Sequence, residues 1–231
     1  MLFKQEINRN KGKLEGIFME TELTILMGWY KEHDPVKVEA FEENRQSFLS
    51  HNPDCQLLTV MNVFEDNEQA WLASDLPMFY WYLINGRKHN SKRYLLVEWD
   101  CWCDCDLKDY FKLVWDLDLV VPSVKYPERD EWYWFKHYSV LPNNLQKYAT
   151  GIVPFCGILV SDYAMNKISQ EIIKPDYLNL ISELRLGTVA TMLGIDPVPN
   201  PVCNRTITWK ESNPFELKYK GLHHPRKRLI S

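Results

Sequence analysis

The chain has 231 residues, a formal net charge of −4, 45% apolar residues and 25% charged ones. This is the composition of a soluble globule with enough length for a sizeable core, and it lacks the positive charge of a nucleic-acid-binding domain. No run approaches the ~20 apolar residues of a membrane helix, and the opening MLFKQEINRNKGK carries no apolar signal core. The chain therefore reads as cytoplasmic, with peripheral membrane contact left open.

Six cysteines, three of them at positions 101, 103 and 105, read as reduced thiols rather than a secreted disulfide framework. No internal repeat or low-complexity linker divides the sequence, so residues 1–231 read as one domain.

In chain order, residues 23–29 (LTILMGW) predict a strand, and 36–50 a helix with Val38, Phe41, Phe48 and Leu49 at helical spacing. Residues 55–62 predict a second strand. Asn67 opens a long helix through Leu72, Leu76, Phe79, Tyr80 and Leu83, with Gly86 as its stop. Residues 93–99 form a third strand. Leu107, Tyr110, Phe111, Val114 and Trp115 then mark a helix capped by Asp106, with Asp109 three residues on. Strands follow at 118–124 and 151–161, separated by an irregular aromatic stretch. Helices follow from Ser161, with Ala164, Met165, Ile168 and Ile172 inward, and from Ser182 to Leu193, ending at Gly194. The alternation predicts an α/β, Rossmann-like domain whose mostly parallel central sheet is covered by helices on both faces.

Ligands of such sheets bind beyond the carboxyl ends of the strands. There the third strand runs into acids, in YLLVEWDCWCDCD at 94–106. Alternation along a strand puts Glu98 and Asp100 on one side, about 6.5–7 Å apart at Cα. Neighbouring carboxylates repel, and a hard divalent cation such as Mn²⁺ or Mg²⁺ relieves the repulsion. Asp106 reads more simply as a helix cap and Asp104 as a loop or first-turn acid. The thiols lack the CxxC pairs of a zinc site and read as small buried hydrophobes.

The strand–helix–strand–helix–strand order, ending in the acid-x-acid Glu98-Trp99-Asp100, resembles the GT-A class of nucleotide-sugar glycosyltransferases, including small bacterial and large-virus members. In that class a DxD motif holds a divalent metal against the donor diphosphate, and here Glu replaces the first Asp. The resemblance spans about 22–228. It implies a nucleotide-donor part over about 20–124 and an acceptor part over about 125–231. It further implies metal-dependent transfer of a sugar to an acceptor hydroxyl, with inversion.

By the same resemblance, Glu183 in NLISELRLGT stands where the class keeps its general base, one residue past the expected cap Ser182. An acid in a first helical turn is also simply favoured by the helix dipole. His223 or His224 of the closing KGLHHPRKR would complete the metal site, with Lys220, Arg226 and Lys227 near the diphosphate; the alternative is a solvated basic tail. Asp66, after the second strand, is the expected contact to base or ribose.

The stretch YPERDEWYWFKHY at 126–138 suits an acceptor wall, with Trp132, Trp134 and His137 as its contacts, because flat rings stack on sugars. It is equally a core excursion or an oligomer face. Gly151 and Gly157 are places where backbone could approach a substrate closely. Two rivals remain: a metal-dependent phosphoesterase or nuclease using the same acids, and a non-catalytic carbohydrate-binding protein.

Overall fold

The computed structural model describes residues 21–30, 34–62, 64, 67–208, 210–211 and 218–227. It is mixed α/β. Strands β1 (Thr21–Trp29), β2 (Gln56–Met61) and β3 (Ser91–Glu98) form the parallel half of a central sheet, with helix α1 (Pro35–His51) in the first crossover. The second crossover carries α2 (Asn67–Leu72), α3 (Asp75–Trp81), a π-helical turn over Tyr82–Gly86 and α4 (Arg87–His89). A short β4 (Trp102–Cys103), α5 (Leu107–Phe111), β5 (Leu119–Val121) and β6 (Val124–Lys125) follow. Then come α6 (Asn143–Gln146), β7 (Gly151–Ile152), β8 (Ile158–Ser161), α7 (Asp162–Ile172), α8 (Ser182–Met192), β9 (Val198–Pro199) and β10 (Leu222–His223). The six-stranded sheet runs β2-β1-β3-β8-β5-β9, and only β8 opposes its neighbours. The expected mostly parallel α/β sheet is therefore present.

Strand alternation divides the core in two. Ile25, Met27, Leu95 and Val97 meet α1 on one face; Leu26, Tyr94 and Leu96 meet α3, α7 and α8 on the other. This parity continues past the end of β3. Trp99 packs with the α1 side, while Glu98 turns toward α8.

Five predicted elements differ in detail. The long helix from Asn67 breaks at 73–74. Pro77 cannot donate to the Ala73 carbonyl, so a new helix starts at Asp75, in whose first turn the proline fits. The helix capped by Asp106 stops at Phe111 and unwinds into turns, with Leu113 exposed. The strand expected over 118–124 divides into β5 and β6. That expected over 151–161 divides into β7 and β8, because 153–157 leaves the sheet through Gly157 at φ 71°. α8 begins at Ser182, with Ile181 rather than Ser182 at the cap. Gly187 lets α8 press onto the chain before β7: a Cβ there would lie 2.0 Å from the Thr150 carbonyl oxygen.

Candidate functional site

Residues after β3 meet the returning tail at the sheet's carboxyl end. Asp100 accepts the Arg226 N–H through its backbone carbonyl at 2.7 Å. β10 pairs with β4, and His224 bridges to Ile207. Glu98, Asp100 and His224 thereby offer ligand atoms within 4.8 Å of one another. His224 Nε2 lies 3.0 Å from Glu98 Oε2 and 3.3 Å from Asp100 Oδ1.

Burial raises the Glu98 carboxyl above its ordinary range, against the hydrogen bond from His224. Burial also opposes ionisation of Asp100, but the charge and hydrogen bond of His224, together with Lys227, outweigh it and hold that carboxyl low. Burial opposes protonation of His224 too, yet its surroundings, Cys156 first and then the Asp100 and Glu98 carboxylates, raise it well above the usual imidazole range. A protonated His224 thus supplies positive charge between two acids that would otherwise repel, and a cation bound at Nε2 would displace that proton and take over its role.

The donor set fits a divalent cation. Asp100 Oδ1 is buried and makes no hydrogen bond among the described residues, its one near polar neighbour being the His224 ring in an ion pair at 3.3 Å. His224 Nδ1 lies 3.3 Å from the Thr208 carbonyl, the backbone bond that fixes the tautomer and leaves Nε2 as the ligand atom. Two carboxylates and one imidazole suit Mn²⁺ and are compatible with Mg²⁺.

The two adjacent histidines part ways, as alternate residues of an extended segment must. His223 is turned to Asp104, at 3.2 Å, whose same oxygen accepts the Gly221 N–H. It therefore lies outside the cluster. Asp104 anchors the tail, and Asp106 caps α5 by accepting the Asp109 N–H at 3.0 Å.

A cleft of about 300 Å³ opens beside the cluster, bounded by Trp29, Tyr30, Trp99, Trp71, Glu98 and Lys227. Trp29 and Tyr30 meet Trp99 edge-on at 5.5 and 6.0 Å between ring centroids, and Trp29 stacks on Phe41 at 4.2 Å. Lys37 and Asn62 add polar atoms to this cleft.

A smaller cleft adjoins it and shares Trp71, Ser74 and Glu98; Trp134, Phe155 and Glu183 complete its wall. Trp71 and Trp134 meet edge-on at 5.6 Å. Glu183 accepts the Phe155 N–H at 3.2 Å. Burial, then the charge of Glu98, push its carboxyl up to about 8.

Among the cations expected near a diphosphate, only Lys227 borders the cleft, with Nζ 3.8 Å from Asp100 Oδ2. Arg226 is buried on α1: its guanidinium bonds Asn44 Oδ1 at 2.8 Å and Glu43, and lies 4.4 Å over the Trp102 ring. Lys220 is exposed and borders neither cleft.

Of the expected acceptor residues, Trp134 borders the smaller cleft. His137 sits behind it, 5.5 Å ring to ring, and its basicity is lowered by burial and by Lys136. Trp132 instead packs against Phe135 and over Gly151, where a Cβ would lie 2.5 Å from the indole. Gly151 thus makes room for an aromatic ring rather than a substrate. Asp66 lies outside the described residues. All six cysteines are free, with Cys101, Cys103, Cys156 and Cys203 buried as small apolar groups.

Sequence reasoning missed Trp71 and Ser74, which join the two clefts. It also missed the buried pair Asp75–Arg185, which ties α3 to α8 through two bonds of 2.7 and 2.8 Å. Arg185 also donates to the carbonyls of Leu72, Tyr177 and Leu178. The available signal was an arginine on the otherwise apolar face of α8.

No family model and no curated protein matches the chain. Among solved structures, it is similar to a glycosyltransferase involved in the glycosylation of the major capsid of PBCV-1, with a TM-score of 0.39 and 11% identity. That alignment covers 65% of this chain and 64% of the other, less than two thirds of its length.

Proposed function

We propose that the protein is a metal-dependent glycosyltransferase that moves a sugar from a nucleotide-diphosphate donor to an acceptor hydroxyl, with inversion. One observation carries this reading. Glu98, Asp100 and His224 converge at the edge of an aromatic cleft, and through Glu98 that cleft adjoins a second one holding an acid that keeps its proton near neutral pH.

In this reading Glu98, Asp100 and His224 hold Mn²⁺ or Mg²⁺, which when bound neutralises charge on the leaving diphosphate. Lys227 adds a mobile positive charge on the same side. Trp29, Tyr30 and Trp99 wall the nucleotide, giving large apolar contact with few rotatable bonds. Trp71 and Trp134 offer ring faces and edges to the sugars. Glu183 takes the proton from the attacking hydroxyl. A carboxyl with a pKa of about 8 is a stronger base than an ordinary one and still ionises in the working range. The Phe155 N–H orients it.

Thermal melts with UDP, GDP, CDP and dTDP, each with and without Mn²⁺, test the reading. Metal and one nucleotide together should stabilise the protein, by about 2.7 kcal/mol at a hundredfold excess over Kd. Asp100→Ala should lose that joint effect while melting as a folded protein. Stabilisation that ignores metal, or that survives in Asp100→Ala, defeats the proposal. Product analysis with the matching nucleotide sugar then separates sugar transfer from the phosphate release of a phosphoesterase.

A further inference from the structure

α1 does not turn an apolar face inward along its whole length. Beside Ala40, Phe41 and Phe48 it buries Asn44 and Ser47, and Asn52 is buried at its C-cap. Each of these polar side chains holds a particular piece of the chain around the site. Asn52 donates to the Cys105 carbonyl at 3.2 Å and accepts the Leu107 N–H at 2.8 Å. Ser47 accepts the Cys103 N–H at 2.9 Å.

Asn44, fully buried, does something different: it joins two segments. Its amide donates to the Trp99 carbonyl at 3.0 Å and to the Arg226 carbonyl at 3.1 Å, and its oxygen accepts from the Arg226 guanidinium at 2.8 Å. Trp99 lies between Glu98 and Asp100. Arg226 lies two residues beyond His224 and next to Lys227. One side chain thus holds together the strand tip that carries the acids and the tail that carries the histidine.

We propose that Asn44 is a positioning residue for the cation cluster, setting the separation at which Glu98, Asp100 and His224 act as one ligand set. This rests on the cation-binding reading above. The cluster comes from two chain segments distant in sequence, joined on one stretch by the β4–β10 pairing and next to the ligands by the backbone bond from Arg226 to Asp100. The Asn44 amide adds two further attachment points, at Trp99 and Arg226, each close in sequence to the ligand-bearing residues. Without it, two buried carbonyl oxygens would lose these donors, and the spacing between strand tip and tail would loosen where the ligands sit. Arg226 belongs to the same device: its guanidinium orients the Asn44 amide, and α1 acts as the template on which the site is assembled.

The test is Mn²⁺ affinity of the full chain, read as loss of the free Mn²⁺ signal by electron paramagnetic resonance, far below each variant's melting temperature. Wild type, Asn44→Ala and Asn52→Ala are compared. Asn52→Ala is the control, because it removes a buried anchor at the C-cap of the same helix, and that side chain bonds Phe48 and the 103–107 segment but neither Trp99 nor Arg226. Asn44→Ala should weaken Mn²⁺ binding about 10- to 100-fold, the range for partners that orient metal ligands, while Asn52→Ala leaves it unchanged. If Asn44→Ala does not fold, Asn44→Ser, too short to reach both carbonyls, serves in its place with the same expectation. Equal affinities in wild type and the Asn44 variant, or equal losses in both helix variants, overturn the proposal. A wild type that binds no Mn²⁺ overturns the cation reading itself and this inference with it.

Discussion

The site contains two buried acidic centres that the protein treats in opposite ways. Asp100 is held as a carboxylate by the imidazolium of His224 and by Lys227, against the effect of burial. Glu183, also buried, feels the His224 charge only weakly, and burial together with Glu98 lifts it to about 8. Burial lifts a carboxyl and a nearby cation lowers it, and the balance falls one way at Asp100 and the other at Glu183. The difference also separates two tasks. A centre kept charged attracts a cation, and one kept protonated near neutral pH is poised to exchange a proton.

The largest expected effect tests the proton-exchanging centre. Glu183→Gln should lower kcat by on the order of 10²–10⁴, the usual contribution of a general base, while Mn²⁺ and nucleotide affinity stay at the wild-type level. If steady-state kinetics show an unchanged kcat, Glu183 is only a helix-terminal acid and the contrast loses its chemical meaning.

The next effect concerns the support of that centre. Asp75→Ala leaves Arg185 as an uncompensated buried charge, which should destabilise the protein by about 3–5 kcal/mol. A loss under 1 kcal/mol in denaturant unfolding would mean that α8 is held by packing alone.

A further effect is in the pH dependence of stability. Glu183 has its folded-state pKa raised from 4.5 to about 8. Its contribution is therefore complete below about pH 4.5 and is lost as pH rises toward 8. The wild-type melting temperature should fall relative to Glu183→Gln across that window, by an amount read from paired melts. Parallel curves would place the Glu183 pKa near its ordinary value and erase the contrast with Asp100.

Much of this arrangement was legible in the chain. The short apolar runs at 23–29, 55–62 and 93–99 specify three strands, and alternation along the third puts Glu98 and Trp99 on opposite faces. The apolar spacing at 164, 165, 168 and 172 specifies α7, and Asp106 announces the start of α5 by its capping chemistry. These features depend on residues close in sequence, whose geometry the backbone periodicities impose.

Which charged groups meet was not legible, because it depends on segments brought together from far apart. His223 and His224 are equivalent in sequence; only the pairing of β10 with β4 turns one to Asp104 and the other to the acids. Arg226 looked like a phosphate ligand until α1 supplied Asn44 and Glu43 beneath it. The partner chosen by a long, charged side chain is decided by burial and by the nearest opposite charge in space, and neither quantity exists until the sheet, α1 and the tail have packed together.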